Sequence, residues 1–217
     1  MVHGGGQALF EGFRMGLLPG AACDAISEKS YGGGELYTRA EYLDQGFHFW
    51  EDLAVRTYSA PGSRVLVAAA GGGREIIALA RAGFQAAGFG CNRAMFEAGR
   101  RALAERGMAA TLDWAPPSVA PKMDGYFDAL IVGWFAYGCI SPRARRIESM
   151  KSLRAQLRPG SPVLASTPIG SRLGKVLIWT PRNANAVGIC TFRPPVFGAG
   201  DAPAACWNRN WPRPGPP

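Results

Sequence analysis

The sequence predicts an α/β fold, a doubly wound and mainly parallel sheet with helices on both faces, and three observations lead there. Residues 64–70 form an apolar run too short for a helix and stopped by three glycines, as expected of a strand buried on both faces. Beyond it, short apolar runs alternate with helix-length segments as far as Ser166, which implies βαβ units with right-handed crossovers. The 217 residues are 47% hydrophobic and 18% charged, which suits one globular domain at roughly 100–200 residues each and argues against a disordered or fibrous chain.

The elements follow in order. Residues 1–36 are a glycine-rich arm with one apolar stretch, Phe10 to Leu18, and are expected to be only partly ordered. From Thr38 to Tyr58, Tyr42, Phe47, Trp50, Leu53 and Ala54 recur at helical spacing until Pro61-Gly62 stops the run. Arg64 to Ala70 is the first strand, Glu75 to Ala82 a helix ended by Gly83, and Phe84 to Phe89 the second strand. Arg93 to Arg106 is a helix with Gly107 in the place that tolerates a left-handed cap. Met108 to Leu112 and Tyr126 to Gly133 give the third and fourth strands.

Ser141 and Pro142 are placed as N-cap and first residue of the next helix. Its apolar face is predicted from Ala144, Ile147, Met150, Leu153 and Leu157, and its solvated basic face from Arg143, Arg145, Arg146, Lys151, Arg154 and Arg158. Pro162 to Ser166 is the fifth strand, and a hairpin of Lys175 to Thr180 with Ala186 to Phe192 would cover its edge. The α/β domain is thus drawn over 37–192. The tail 193–217 is rich in proline, shows no periodicity and is expected to be irregular, leaving the C-terminal part of the fold incomplete.

Composition narrows function. The net charge of +8 comes from 24 basic and 16 acidic residues, and only four of the basic ones are Lys. With 29 Gly and 17 Pro, this reads as the arginine-rich composition of a GC-rich genome rather than a nucleic-acid footprint, so a nucleic-acid partner is not expected. The five cysteines include no CxxC pair, so neither a metal site nor a disulfide framework is predicted. The longest charge-free apolar stretch, Ala129 to Ile140, falls short of the roughly 20 residues that cross a bilayer. No secretory signal is read at the N-terminus, and the chain is expected to be cytoplasmic.

The most informative segment is Val65-Leu66-Val67-Ala68-Ala69-Ala70-Gly71-Gly72-Gly73-Arg74-Glu75. A strand that runs through small residues into a helix lets backbone approach a ligand closely, at the carboxyl end of the sheet where such folds bind. The dinucleotide fingerprint would need glycine where Ile76 stands, and the nearest approach to a phosphate loop, Gly170 to Val176, is one residue short.

From Arg64 to Ser166 the chain resembles the class I S-adenosylmethionine-dependent methyltransferases. The resemblance lies in the glycine turn, in Phe127-Asp128-Ala129-Leu130-Ile131-Val132-Gly133 as fourth strand, and in Leu157-Arg158-Pro159-Gly160-Ser161-Pro162-Val163-Leu164 as entry to the fifth. It implies S-adenosylmethionine as cofactor. The methionine part would be held by Ala70, Gly71, Gly72 and Gly73, and the ribose near Cys91 and Asn92. Adenine would meet Asp113 and Trp114 in the loop after the third strand, and Gly133 would lie at the turn after the fourth. Three positions depart from the family: Val67 and Gly90 stand where it has acidic residues, and Ala69 where it has a glycine. Without a carboxylate at the ribose diol, a pair of charge-assisted acceptors is missing. Asn92 could accept from one hydroxyl, or simply cap the helix that follows. Glu75 could serve the cofactor, or only the helix dipole, and Trp134 could wall the adenine or belong to the core.

Methyl transfer from a sulfonium is an in-line displacement that needs alignment and exclusion of water more than a catalytic side chain, so no catalytic residue is assigned. Gly133-Trp134-Phe135-Ala136 is unlike the motif of enzymes that methylate exocyclic amines of bases, and no Pro-Cys pair occurs. His48, set in the predicted helix before the first strand, is a candidate general base or a structural residue; Tyr37, Tyr42 and Tyr137 are further candidates. The expected activity is methyl transfer to an O or N nucleophile of a small molecule. The alternatives are a degenerate relative without activity and another nucleotide-binding or nucleic-acid-binding α/β protein.

Overall fold

A computed structural model describes residues 25, 35–133, 136–140 and 143–166. The chain divides into two compact units, and the one formed by Tyr31–Tyr137 with Ile147–Thr167 holds the whole sheet. The hairpin at 175–192, the tail, Ser141, Pro142, Trp134 and nearly all of the N-terminal arm lie outside the described residues. Among the described residues no helix is long and apolar enough to cross a membrane.

The elements are α1 (Glu35–Thr38), α2 (Ala40–Leu43), α3 (Phe49–Tyr58), β1 (Arg64–Ala68), α4 (Arg74–Arg81), β2 (Gln85–Gly90) and α5 (Arg93–Glu105). They continue with β3 (Thr111–Trp114), β4 (Ala129–Val132), α6 (Ala136–Cys139), α7 (Arg143–Arg154) and β5 (Val163–Ala165). All strand pairs are parallel, in the order β3-β2-β1-β4-β5. This is the doubly wound sheet the alternating pattern predicts. Because side chains alternate along a strand, Val65 and Val67 of β1 point into one core layer with Val55 of α3, Ile76 and Leu79 of α4 and Leu103 of α5. Leu66 and Ala68 point into the other, with Leu130 of β4 and Leu153 of α7.

Three expectations are corrected. The helical run from Thr38 to Tyr58 is three helices, interrupted around Gly46, which adopts a left-handed φ of 79°. Its buried apolar residues are Leu43 and Val55, whereas Trp50 and Leu53 are 45% and 57% exposed. The third strand begins at Thr111 rather than Met108, because its pairing with Ala87–Gly90 draws Asp113 and Trp114 out of the predicted loop and into the strand. On α7, Arg146 is buried and Ile147 is 37% exposed, the reverse of the predicted faces. A guanidinium tolerates burial when it is hydrogen-bonded, and Arg146 Nη1 donates to the Ile140 carbonyl at 3.0 Å.

Candidate functional site

The end of β1 turns into α4 through residues 69–73. Ala69, Gly71 and Gly73 all take left-handed φ values, of 59°, 55° and 91°. Gly71 and Gly73 adopt them freely, while at Ala69 the Cβ makes the same conformation cost roughly 1–2 kcal/mol. Ala70 ties the turn to its neighbours: its N–H donates to Phe89 (2.9 Å), its carbonyl accepts from Gly73 (2.8 Å), and its methyl is buried in the core. Gly72 and Gly133 are small for packing. A Cβ at Gly72 would collide with the Tyr37 carbonyl, and one at Gly133 with the Ala69 carbonyl.

Gly90 ends β2 directly opposite this turn. A Cβ built there would sit 3.4 Å from the Gly71 nitrogen and 3.7 Å from its oxygen, ordinary contact distances. A Cβ at Gly90 would therefore fit in contact with the Gly71 backbone without a clash. In the sheet it pairs with Trp114, whose Nε1 donates to the Cys91 carbonyl at 3.0 Å. The Arg93 guanidinium lies over the Trp114 ring, 4.3 Å from its centre, in a cation–π contact. Asn92 is buried, and its Oδ1 accepts the Met95 N–H at 2.9 Å as the N-cap of α5. Asp113 is exposed and pairs with Phe89, so by alternation it lies on the opposite face from Trp114 and Gly90. The turn residues, Gly90, Cys91, Trp114 and Gly133 thus gather at the carboxyl ends of the strands, with Asp113 at their edge.

Behind the turn lies a charged cluster that the sequence reading missed in part. Arg74, the first residue of α4, is 1% exposed. Its Nη1 donates to the Gly46 carbonyl (2.6 Å) and to Glu51 Oε2 (2.7 Å), and its Nη2 to Glu51 Oε1 (2.7 Å) and Glu75 Oε1 (2.8 Å). Burial pushes the Glu75 carboxyl above its ordinary range, and the Arg74 charge pulls it partly back. Tyr42, buried beside Arg74, is raised to about 12, chiefly by desolvation, which makes it a poor base near neutral pH. His48 precedes α3 rather than lying in it. Its ring accepts the Glu51 N–H, while Glu51 Oε2 accepts the His48 N–H at 2.8 Å, a reciprocal capping box. Burial lowers its basicity, and the Arg74 charge lowers it further. The spacing of His48 and Glu51 was the available signal for this box, and Arg74-Glu75 directly after the glycines was the signal for the cluster.

A crevice of about 170 Å³ opens between α3 and the ends of β4 and β5, with Trp50, Ala54, Val55, Ile131 and Leu164 in its walls. It lies at the carboxyl ends of the strands, and the glycine turn sits where strand order reverses between β1 and β4, the position at which open α/β sheets bind ligands. Glycine turn, strand order and the fourth and fifth strands all stand as the family resemblance requires. The fold is a doubly wound, all-parallel sheet of the kind the family resemblance implies.

Several solved structures are similar to this methyltransferase-like fold. The CcbJ methyltransferase from Streptomyces caelestis shares 19% identity over 52% of this chain and 45% of its own, with a TM-score of 0.47. The glycopeptide N-methyltransferase MtfA, complexed with sinefungin, shares 23% identity over 55% and 53%, with a TM-score of 0.49. CalS10, an amino pentose methyltransferase from Micromonospora echinaspora with SAM bound, shares 20% identity over 60% and 55%, with a TM-score of 0.48. The chain spans about half the length of these structures. No family model and no curated protein matches it.

Proposed function

We propose that the chain binds S-adenosylmethionine at the glycine turn and transfers its methyl group to an O or N nucleophile of a small molecule. The observation that carries this reading is the turn itself: left-handed residues at 69, 71 and 73 bring backbone to the switch point of the sheet, and Gly90 at the end of β2 keeps side-chain atoms off the Gly71 backbone. The residues fit the cofactor in shape but offer its ribose no carboxylate at position 90. Gly71 and Gly73 would hold the amino-acid part and Trp114 would wall the nucleoside, while Asp113, on the other face of the strand, would not reach it. When bound, the cofactor supplies an electrophilic methyl on sulfur. The chain's own part is alignment and exclusion of water, and the apolar crevice under α3 suits an acceptor brought up beside the turn.

Titrating isotope-labelled protein with S-adenosylmethionine tests the reading by NMR. The amides of Gly71, Gly73, Cys91, Trp114 and Gly133 should shift together and saturate. Shifts confined to other regions, or none at all, would refute it. The reading of a non-catalytic relative is favoured by Gly90 and by Val67, which lies fully inside the core where the family has an acidic residue. Saturable binding without methyl transfer across a panel of small O and N acceptors would support that second reading.

A further inference from the structure

We infer that Arg74 is a positioning residue: it locks α3 to the glycine turn, so that the backbone at Gly71 and the apolar crevice under α3 keep one fixed geometry. The inference rests on the function proposed above. Arg74 follows Gly73 directly, so any movement of the turn carries it along. Its fork grips both oxygens of Glu51, in the first turn of α3, at 2.7 Å each, and Nη1 also holds the Gly46 carbonyl in the loop leading to α3. Two parallel bonds from a planar guanidinium fix orientation as well as distance. Glu51 in turn anchors the His48 N–H, which fixes the start of α3. The next turn of the same helix presents Ala54 and Val55 to the apolar crevice. An unbroken path therefore runs from the turn through Arg74 and Glu51 to that crevice wall.

Stability alone gives a weak account of this cluster. Buried ion pairs often contribute no more than well-packed apolar residues would, because desolvation offsets the attraction. Here two carboxylates share one guanidinium, burial raises the Glu75 carboxyl, and Arg74 Nε is buried with no acceptor among the described residues. What the cluster does supply is a single allowed placement of α3. The exposed ion pairs of Asp44 with Arg81 and Arg106 tie the same segment to α4 and to the end of α5 without reaching the turn, and so provide an internal control.

The test uses the full chain and its Arg74→Gln, Arg74→Lys, Glu51→Gln and Asp44→Ala variants. Affinity for S-adenosylhomocysteine is measured by calorimetry at a temperature where each variant is folded, and amide hydrogen exchange is measured along α3, α4 and α5. Arg74→Gln and Glu51→Gln should weaken binding by about tenfold or more, as misplacement of a site does. Faster exchange should be confined to α3 in those two variants. Arg74→Lys, which keeps the charge without the fork, should recover part of the affinity, and Asp44→Ala should bind as the unaltered chain does. Affinities within twofold of the unaltered chain in folded Arg74→Gln, or α3 exchange that does not change, would overturn the inference. If the unaltered chain binds no S-adenosylhomocysteine, the proposed function fails instead, and α3 exchange in Arg74→Gln then decides the lock: faster supports it, unchanged overturns it.

Discussion

Position 90 holds a glycine where the family resemblance implies a carboxylate, and the surrounding backbone leaves room for a Cβ. The nearest atoms to an added Cβ are those of Gly71 at 3.4 Å or more, and Gly90 is not among the residues with left-handed φ. Gly90→Glu should therefore fold normally and strengthen S-adenosylmethionine binding by roughly 1–3 kcal/mol, the worth of a hydrogen bond to a charged group. Paired calorimetric titrations check this, and equal affinities would mean that the ribose is held elsewhere. Ala69 offers a complementary prediction. Its left-handed backbone costs roughly 1–2 kcal/mol, of which Ala69→Gly recovers the part not lost to glycine's extra chain entropy, leaving a net gain of about 0.5–1 kcal/mol. Denaturant unfolding should register that gain, and a loss of stability would show that the strain has been misjudged. Both positions could be read from the sequence as departures from the family. The N-cap role of Asn92, weighed there against ribose binding, needed the Met95 contact to be visible.

Among the elements, α3 departs most from its pattern. Of the apolar residues that the spacing picked out, Trp50 and Leu53 are largely exposed, while Arg74 and Glu51 bind the helix to the turn. Periodicity reports apolar faces and is blind to a buried ionic grip between residues 23 apart, so this part of the site was not legible. The charges predict opposite pH responses. Asp44 is lowered from 3.8 to about 2 by hydrogen bonds from Arg106 and Arg81. Its contribution to stability is present above the unfolded value and lost as pH falls from about 3.8 toward 2, and Asp44→Asn should flatten unfolding curves in that window. Glu75 is raised by burial, so between its unfolded and folded values the folded state binds more protons and stability falls as pH rises. Glu75→Gln should remove that decline. If stability still fell in the variant, the proton would have to lie on another group.

At the scale of the molecule, the parallel sheet was legible because buried parallel strands announce themselves as short apolar runs between glycines, whereas the order β3-β2-β1-β4-β5 needed the pairing itself. Strand ends were less legible. β3 moved because pairing with β2, rather than its own composition, sets where it starts. Of the candidate site the glycine turn was legible as a motif; the structure sets Trp114 beside Gly90 and Gly133 against Ala69, whereas Asp113 takes its place within a strand, facing away from Gly90. The central claim is that this arrangement holds S-adenosylmethionine despite the missing ribose carboxylate. Calorimetric titration of the unaltered chain with S-adenosylmethionine tests it most directly: the account predicts saturable one-to-one binding that Gly90→Glu strengthens, and the absence of binding heat in both proteins would contradict it.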